Sequence, residues 1–237
     1  WNGTSGTSVD LPALKASKAF THSGNASSEC GRPSNQQPDP SMTLTVEPLT
    51  GDAVAAALPA LARLRIEVFR AWPYLYDGSL EYEQGYLAKF AAAKDTIIVV
   101  ARDGEAIVGA STASPMQGHA DAFAEAFRKR GIDSASVYYF GESVLLSAYR
   151  GRGIGHAFFD HREARALSLG RFAHTAFCGV LRPENHPLRP EDYVPLDAFW
   201  RKRGYAKVDG LIADLAWKDI DQSGETVKPM QFWMRAL

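Results

Sequence analysis

From Met42 onward, apolar positions recur with two different periods, and the switches between them predict the elements. Val54, Ala57, Leu58, Leu61 and Leu64 fall on one face of a helix from about Asp52 to Phe69, and a second helix is expected from about Glu81 to Ala92. Strand-like runs flank this pair: Met42 to Pro48 before it, Thr96 to Ala101 and Ala106 to Ala113 after it. The last two are joined at Asp103-Gly104, a dipeptide suited to a tight hairpin. A short helix near Ala120 to Arg128 leads to Val137 to Leu146, whose aromatic and branched residues read as a buried strand. A helix follows from Ile154 to about Leu169, then a strand from Phe172 to Val180 and a long Pro-containing connection from Arg182 to Pro195. A helix from Leu196 to Arg203 and two strand-like stretches, Tyr205 to Trp217 and Val227 to Leu237, complete the chain. Strands alternating with helices, some joined as hairpins, predict an α/β fold: a mixed sheet with helices on both faces.

Residues 1–41 break this pattern, being rich in Ser, Thr, Gly, Asn and Pro, and are expected to form a disordered extension ahead of one domain spanning 42–237. Leu11 to Phe20 lacks the basic start and cleavage pattern of a secretory signal. The 26 Lys and Arg nearly balance the 27 Asp and Glu and are interspersed with them, so charge gives no reason to propose nucleic acid as partner. No apolar run approaches the roughly 20 residues of a membrane span, so no membrane partner is expected. Cys30 and Cys178 are too few for a disulfide framework and point to a reducing compartment, with the cytoplasm as the expected location.

Metal chemistry is not expected. His156 and His161 are five apart on one helix rather than four, and no Cys/His cluster has zinc spacing. His174 and Cys178 share one strand face, as a thiol and its base would, but a strand lacks the sharp turn that exposes a nucleophile. Arg162, Glu163 and Arg165 read as a solvated helix face.

The most informative stretch is Tyr149-Arg150-Gly151-Arg152-Gly153-Ile154-Gly155-His156, between a strand and a helix. Its glycines let the backbone approach a ligand and turn N–H groups inward, and the helix adds its positive end, which together suit a diphosphate. A Walker loop would need Gly-Lys-Ser/Thr, and a dinucleotide fingerprint starting at Gly151 would need glycine where His156 stands. What remains is Arg150-x-x-Gly153-x-Gly155, which resembles the acyl-CoA signature of the GNAT superfamily of N-acetyltransferases. Phe199-Trp200-Arg201-Lys202-Arg203-Gly204-Tyr205 is similar to that family's aromatic-x-x-x-Gly-aromatic segment, and the resemblance extends over about Met42 to Leu237.

The resemblance implies a mostly antiparallel central sheet with a splayed central strand, and acetyl-CoA as co-substrate. Val144, Leu145 and Leu146 would offer backbone groups to the pantetheine arm. Arg150, Gly151, Arg152, Gly153, Ile154, Gly155 and His156 would hold the diphosphate. Glu142 stands where the family often keeps a general base, which a primary ammonium of pKa about 10 requires near neutrality. The N–H of Leu145 would face the developing oxyanion. The chain departs from the family at Trp200, where many members place the tyrosine that protonates the departing thiolate. Tyr193 is taken as that acid, with Tyr205, Ser147 and water as alternatives. The acceptor would meet the loop between the first two helices, Trp72, Tyr74, Tyr76 and Asp77, followed by Glu81, Tyr82 and Glu83; aromatic faces and carboxylates suit a cation. Asn185 and His186 would join Tyr193 in a second wall.

The expected function is therefore an acetyl-CoA-dependent N-acetyltransferase acting on a primary amine of a small cationic molecule, such as an amino sugar, an aminoglycoside or a polyamine. A noncatalytic acyl-CoA sensor and a protein N-terminal or lysine acetyltransferase are the alternatives. A homodimer is left open.

Overall fold

The computed structural model describes residues 44–119 and 121–237, so the 1–41 extension and the start of the first predicted strand lie outside the described residues. Seven strands are β1 (Leu44–Pro48), β2 (Ile97–Asp103), β3 (Ala106–Pro115), β4 (Val137–Leu145), β5 (His174–Val180), β6 (Ala206–Lys218) and β7 (Glu225–Ala236). The helices are α1 (Asp52–Phe69), α2 (Leu80–Ala92), α3 (Asp121–Lys129), α4 (Ile154–Leu169) and the short α5 (Asp197–Lys202). The expected elements are all present, with boundaries moved by a few residues, as hydrogen-bonded ends commonly are relative to sequence patterns.

The strands form one sheet in the order β1-β2-β3-β4-β5-β7-β6. All neighbours are antiparallel except β4 and β5. That exception follows from the chain: α4 is the crossover between them, and a helical crossover returns the chain parallel. Side chains alternate across the sheet. Tyr139 and Phe232 pack with Phe123 and Phe127 of α3, and Val100 and Val144 pack with Leu61, Leu87 and Phe90 of α1 and α2. Tyr138 and Phe140 turn to the opposite face, toward Phe159 of α4 and Phe199 and Trp200 around α5.

Two irregularities open the sheet in its middle. Ser111 pairs with Ser143 and Ala113 with Phe140, so Thr112 of β3 faces two residues of β4, Gly141 and Glu142. A bulge of this kind bends the strand that carries the extra residue. Gly141 leaves room for it, since a Cβ there would sit 2.7 Å from Thr112 Oγ1 and force that side chain to shift. Beyond the bulge the strands separate: β4 pairs with β5 only from Val137 to Tyr139. β5 meanwhile stays on β7 along its whole length. Among the described residues, the edge of β4 from Phe140 to Leu145 that would meet β5 therefore has no strand partner.

Helix α4 departs from expectation at Arg162, which is not on a solvated face but 1 % exposed, while Glu163 and Arg165 are partly buried. The cause is the bulge, which leaves carbonyl oxygens beneath α4 in need of a donor. Among the described residues no helix is long and apolar enough to cross a membrane.

Candidate active site

The donor side of the cleft is main chain. Leu146 donates its N–H to Val108 O on β3, and Glu142 donates to Thr112 Oγ1. By strand alternation the backbone groups of Ser143 and Leu145 point the other way, into the gap beside β5. The glycine loop follows at once. Gly151 (φ 76°) and Gly153 (φ 82°) adopt left-handed conformations that side chains resist, and Gly153 opens α4 with no side-chain cap. Among the described residues no acceptor engages the N–H of Gly151, Arg152, Gly153, Ile154 or Gly155. Five free donors at the positive end of a 16-residue helix, beside an open strand edge, fit a diphosphate joined to an amide-bearing arm. Arg150 and Arg152 are exposed around the loop, Arg152 lying over the Tyr149 ring. His156 packs edge-on against Phe199.

The acceptor side is built of side chains. Glu142 is 8 % exposed and points to the α1–α2 face, where its carboxylate contacts Arg65 Nη1. Arg65 Nε binds Glu83 at 2.5 Å, and its guanidinium lies over the Tyr86 and Phe69 rings. Burial opposes the charge on Arg65, but Glu142 and Glu83 outweigh it and hold the guanidinium above its ordinary pKa. Two carboxylates around one guanidinium leave an excess of acid here. Ten buried side-chain nitrogens and oxygens among the described residues lack a well-formed hydrogen bond, and six of them meet in this region. They belong to Arg65, Trp72, Tyr76, Glu83, Tyr86 and Glu142.

Tyr74 lies within electrostatic reach of Cys178, Tyr193, Glu142 and Arg65, and burial pushes its pKa up. Trp72 packs against His186 and Tyr193, ring centres 5.1 and 5.9 Å apart, which brings the Arg182 to Pro195 connection against the loop. Tyr193 is half-buried, and burial followed by the negative charge of Asp197 raises its pKa.

Other expected residues lie elsewhere or are otherwise engaged. Glu81 is exposed at the start of α2. Asp77 binds Lys218 and Arg70, and the hydrogen bond from Lys218 holds its carboxyl below the ordinary range. Tyr205 is buried on the α4 face, bonded to Thr175 and Glu163, far from the role of an acid for the cleft. Ser147 is exposed beyond the end of β4. Trp200 packs against Phe177 and Trp233. Cys178 is buried against the Tyr139 hydroxyl, and burial pushes its thiol up to about 12, so no thiolate forms near neutrality. Among the described residues no group of three or more His, Cys, Asp or Glu could hold a metal ion.

Sequence reasoning missed the device that shapes the acceptor loop. Arg182 binds Asp219 through both terminal nitrogens at 2.6 and 3.0 Å, and it also donates to the carbonyls of Pro73 and Tyr74. Lys228 adds a second cation to Asp219 at 3.1 Å. Burial works against the Asp219 charge, but Arg182 and Lys228 hold its carboxyl below the ordinary range. Partners so distant in sequence leave no local pattern. Glu83 was named among the acids after the loop, but Arg65, which it binds, was missed, although a charge on the inner face of an apolar helix is a signal that one sequence does carry.

Over residues 61–191 the chain matches the acetyltransferase (GNAT) family, more than half its length, and it belongs to that family. It is an acetyltransferase, with acetyl-CoA as its co-substrate. No curated protein sequence matches it. Similar solved structures include the ribosomal-protein-alanine N-acetyltransferase of Brucella melitensis, at 15% identity and TM-score 0.52, covering 82% of this chain and 100% of that one. An acetyltransferase of Streptococcus agalactiae 2603 aligns at 12% identity and TM-score 0.51, covering 82% and 98%. An aminoglycoside 6'-N-acetyltransferase solved with coenzyme A aligns at 15% identity and TM-score 0.49, covering 81% and 96%. At such identities the likeness concerns the fold.

Proposed function

We propose that residues 42–237 act as one domain that transfers the acetyl group of acetyl-CoA to a primary amine of a small cationic molecule, with amino sugars, aminoglycosides and polyamines as the classes to try. The observation that carries this reading is the excess of carboxylate over guanidinium at Glu142, Arg65 and Glu83, walled by Tyr74, Tyr86 and Trp72, on the face opposite the glycine loop. A cation gains there from both carboxylates and rings.

In this reading the thioester of acetyl-CoA supplies the activated acyl carbon, and the protein does the rest. Gly151 to Gly155 hold the diphosphate by N–H donation and the open edge of β4 orients the arm. Glu142 removes a proton from the ammonium, its contact with Arg65 giving way while Arg65 stays anchored on Glu83. The N–H of Leu145 lies where an oxyanion develops, and Tyr193 supplies the proton that the sulfur takes up.

A thiol-release assay with acetyl-CoA against an amine panel tests the proposal. Glu142→Gln should lower kcat on the order of 10²–10⁴-fold while acetyl-CoA affinity is kept. Acetyl-CoA binding with no turnover on any amine would overturn the proposal. A protein acceptor would show instead as turnover on peptides and none on small amines.

A further inference from the structure

Arg162 is a buried charged group to which the chemistry above gives no role. It is fully buried in α4, sandwiched over the rings of Phe140 and Phe159 with centroids at 4.4 and 4.8 Å. Among the described residues no carboxylate comes within ion-pair distance of it. Its Nη2 has no hydrogen-bond partner, and burial draws its pKa down to about 10. A guanidinium held in an apolar layer without a counter-ion costs stability, and an apolar residue of similar volume would remove that cost.

What Arg162 does touch is the bulge. Nη1 donates to the carbonyls of Glu142 at 3.3 Å and Thr112 at 3.5 Å, and Nε donates to Phe158 O at 3.1 Å. The N–H of Glu142 is taken by Thr112 Oγ1. The backbone of Glu142 is thus gripped through both its N–H and its C=O, while its side chain leaves by the other face toward Arg65. We propose that Arg162 is a positioning residue: it holds the bulge of β4 from the α4 side and so aims Glu142 at the acceptor. This rests on the reading of Glu142 as the base. One terminal nitrogen reaches both strand carbonyls while Nε stays tied to Phe158 O on the helix, a division of work between two fixed nitrogens that a lysine ammonium does not reproduce.

The test uses the full chain with acetyl-CoA and the best amine of the panel. Arg162→Met removes the buried charge and also the donor to the bulge carbonyls, so, whatever its melting temperature, the folded variant should lose kcat by roughly 10- to 100-fold with the KM for acetyl-CoA little changed, the size expected of a misaimed group. Should Arg162→Met fail to fold, Arg162→Lys decides, with a kcat loss of roughly tenfold expected at parental KM. Parental kcat in a folded variant would overturn the proposal. Combined with Glu142→Gln, Arg162→Lys should give little additional loss, since both act on one proton transfer. An additive loss would overturn it. Full turnover by Glu142→Gln alone would instead remove the base assignment, and is read separately from the Arg162 variants.

Discussion

The two walls of the cleft are made of different material. The donor wall is almost entirely backbone: an unpaired strand edge and five amides at a helix start, which make the same offer whatever side chains surround them. The acceptor wall is side chains from α1, α2, the loop between them, β4 and the 182–195 connection, held in place by buried ion pairs. A wall of amides suits one invariant co-substrate. A wall of side chains can be retuned residue by residue, and this is where acceptor preference is expected to reside.

Four experiments separate the walls. The largest effect is expected at the acceptor clamp: Asp219→Asn leaves Arg182 and Lys228 buried beside a neutral group, costing about 3–5 kcal/mol in denaturant unfolding. In whatever folds, the amine KM should rise and the acetyl-CoA KM should hold; the reverse order would break the comparison.

Next is an acid effect beneath the acceptor wall. His119 is buried against Tyr139 and Ser114, and burial lowers its pKa to about 4 from the ordinary 6.5. A depressed folded pKa means that only the unfolded chain takes up the proton as pH falls through 6.5. The stability is therefore present above that value and lost toward pH 4, by about 3 kcal/mol. Urea unfolding at pH 7 and pH 4.5 should show a steeper loss for the parent than for His119→Gln, and equal slopes would refute it.

On the donor wall, Gly153→Ala places a Cβ at φ 82° and should cost about 1–2 kcal/mol, with weaker acetyl-CoA binding by calorimetry and an unchanged amine preference. The smallest effect belongs to Cys178→Ala. Turnover should survive, because a thiol of pKa about 12 takes no part as a nucleophile, and loss of turnover would reopen that chemistry.

This difference in material also explains what could be read from the chain. The glycine loop is contiguous, with left-handed φ at Gly151 and Gly153, so its resemblance to a family signature was visible in the chain. The elements followed because helix and strand periods are local. Arg162 was misread because its neighbours on the helix are polar and the bulge that buries it depends on the pairing of two other strands. Asp77 looked like a free acid for the substrate because Lys218, its partner, lies 141 positions away. Glu142, by contrast, was singled out from its place on β4, while the arginine it touches was not.

Asp219 joins the acceptor loop to the last hairpin, with its carboxylate on Arg182 and a backbone bridge to Tyr76. During synthesis the glycine loop leaves the ribosome well before β6 and β7 do. The tether that shapes the amine pocket is therefore completed only when the last hairpin emerges, long after the loop it constrains.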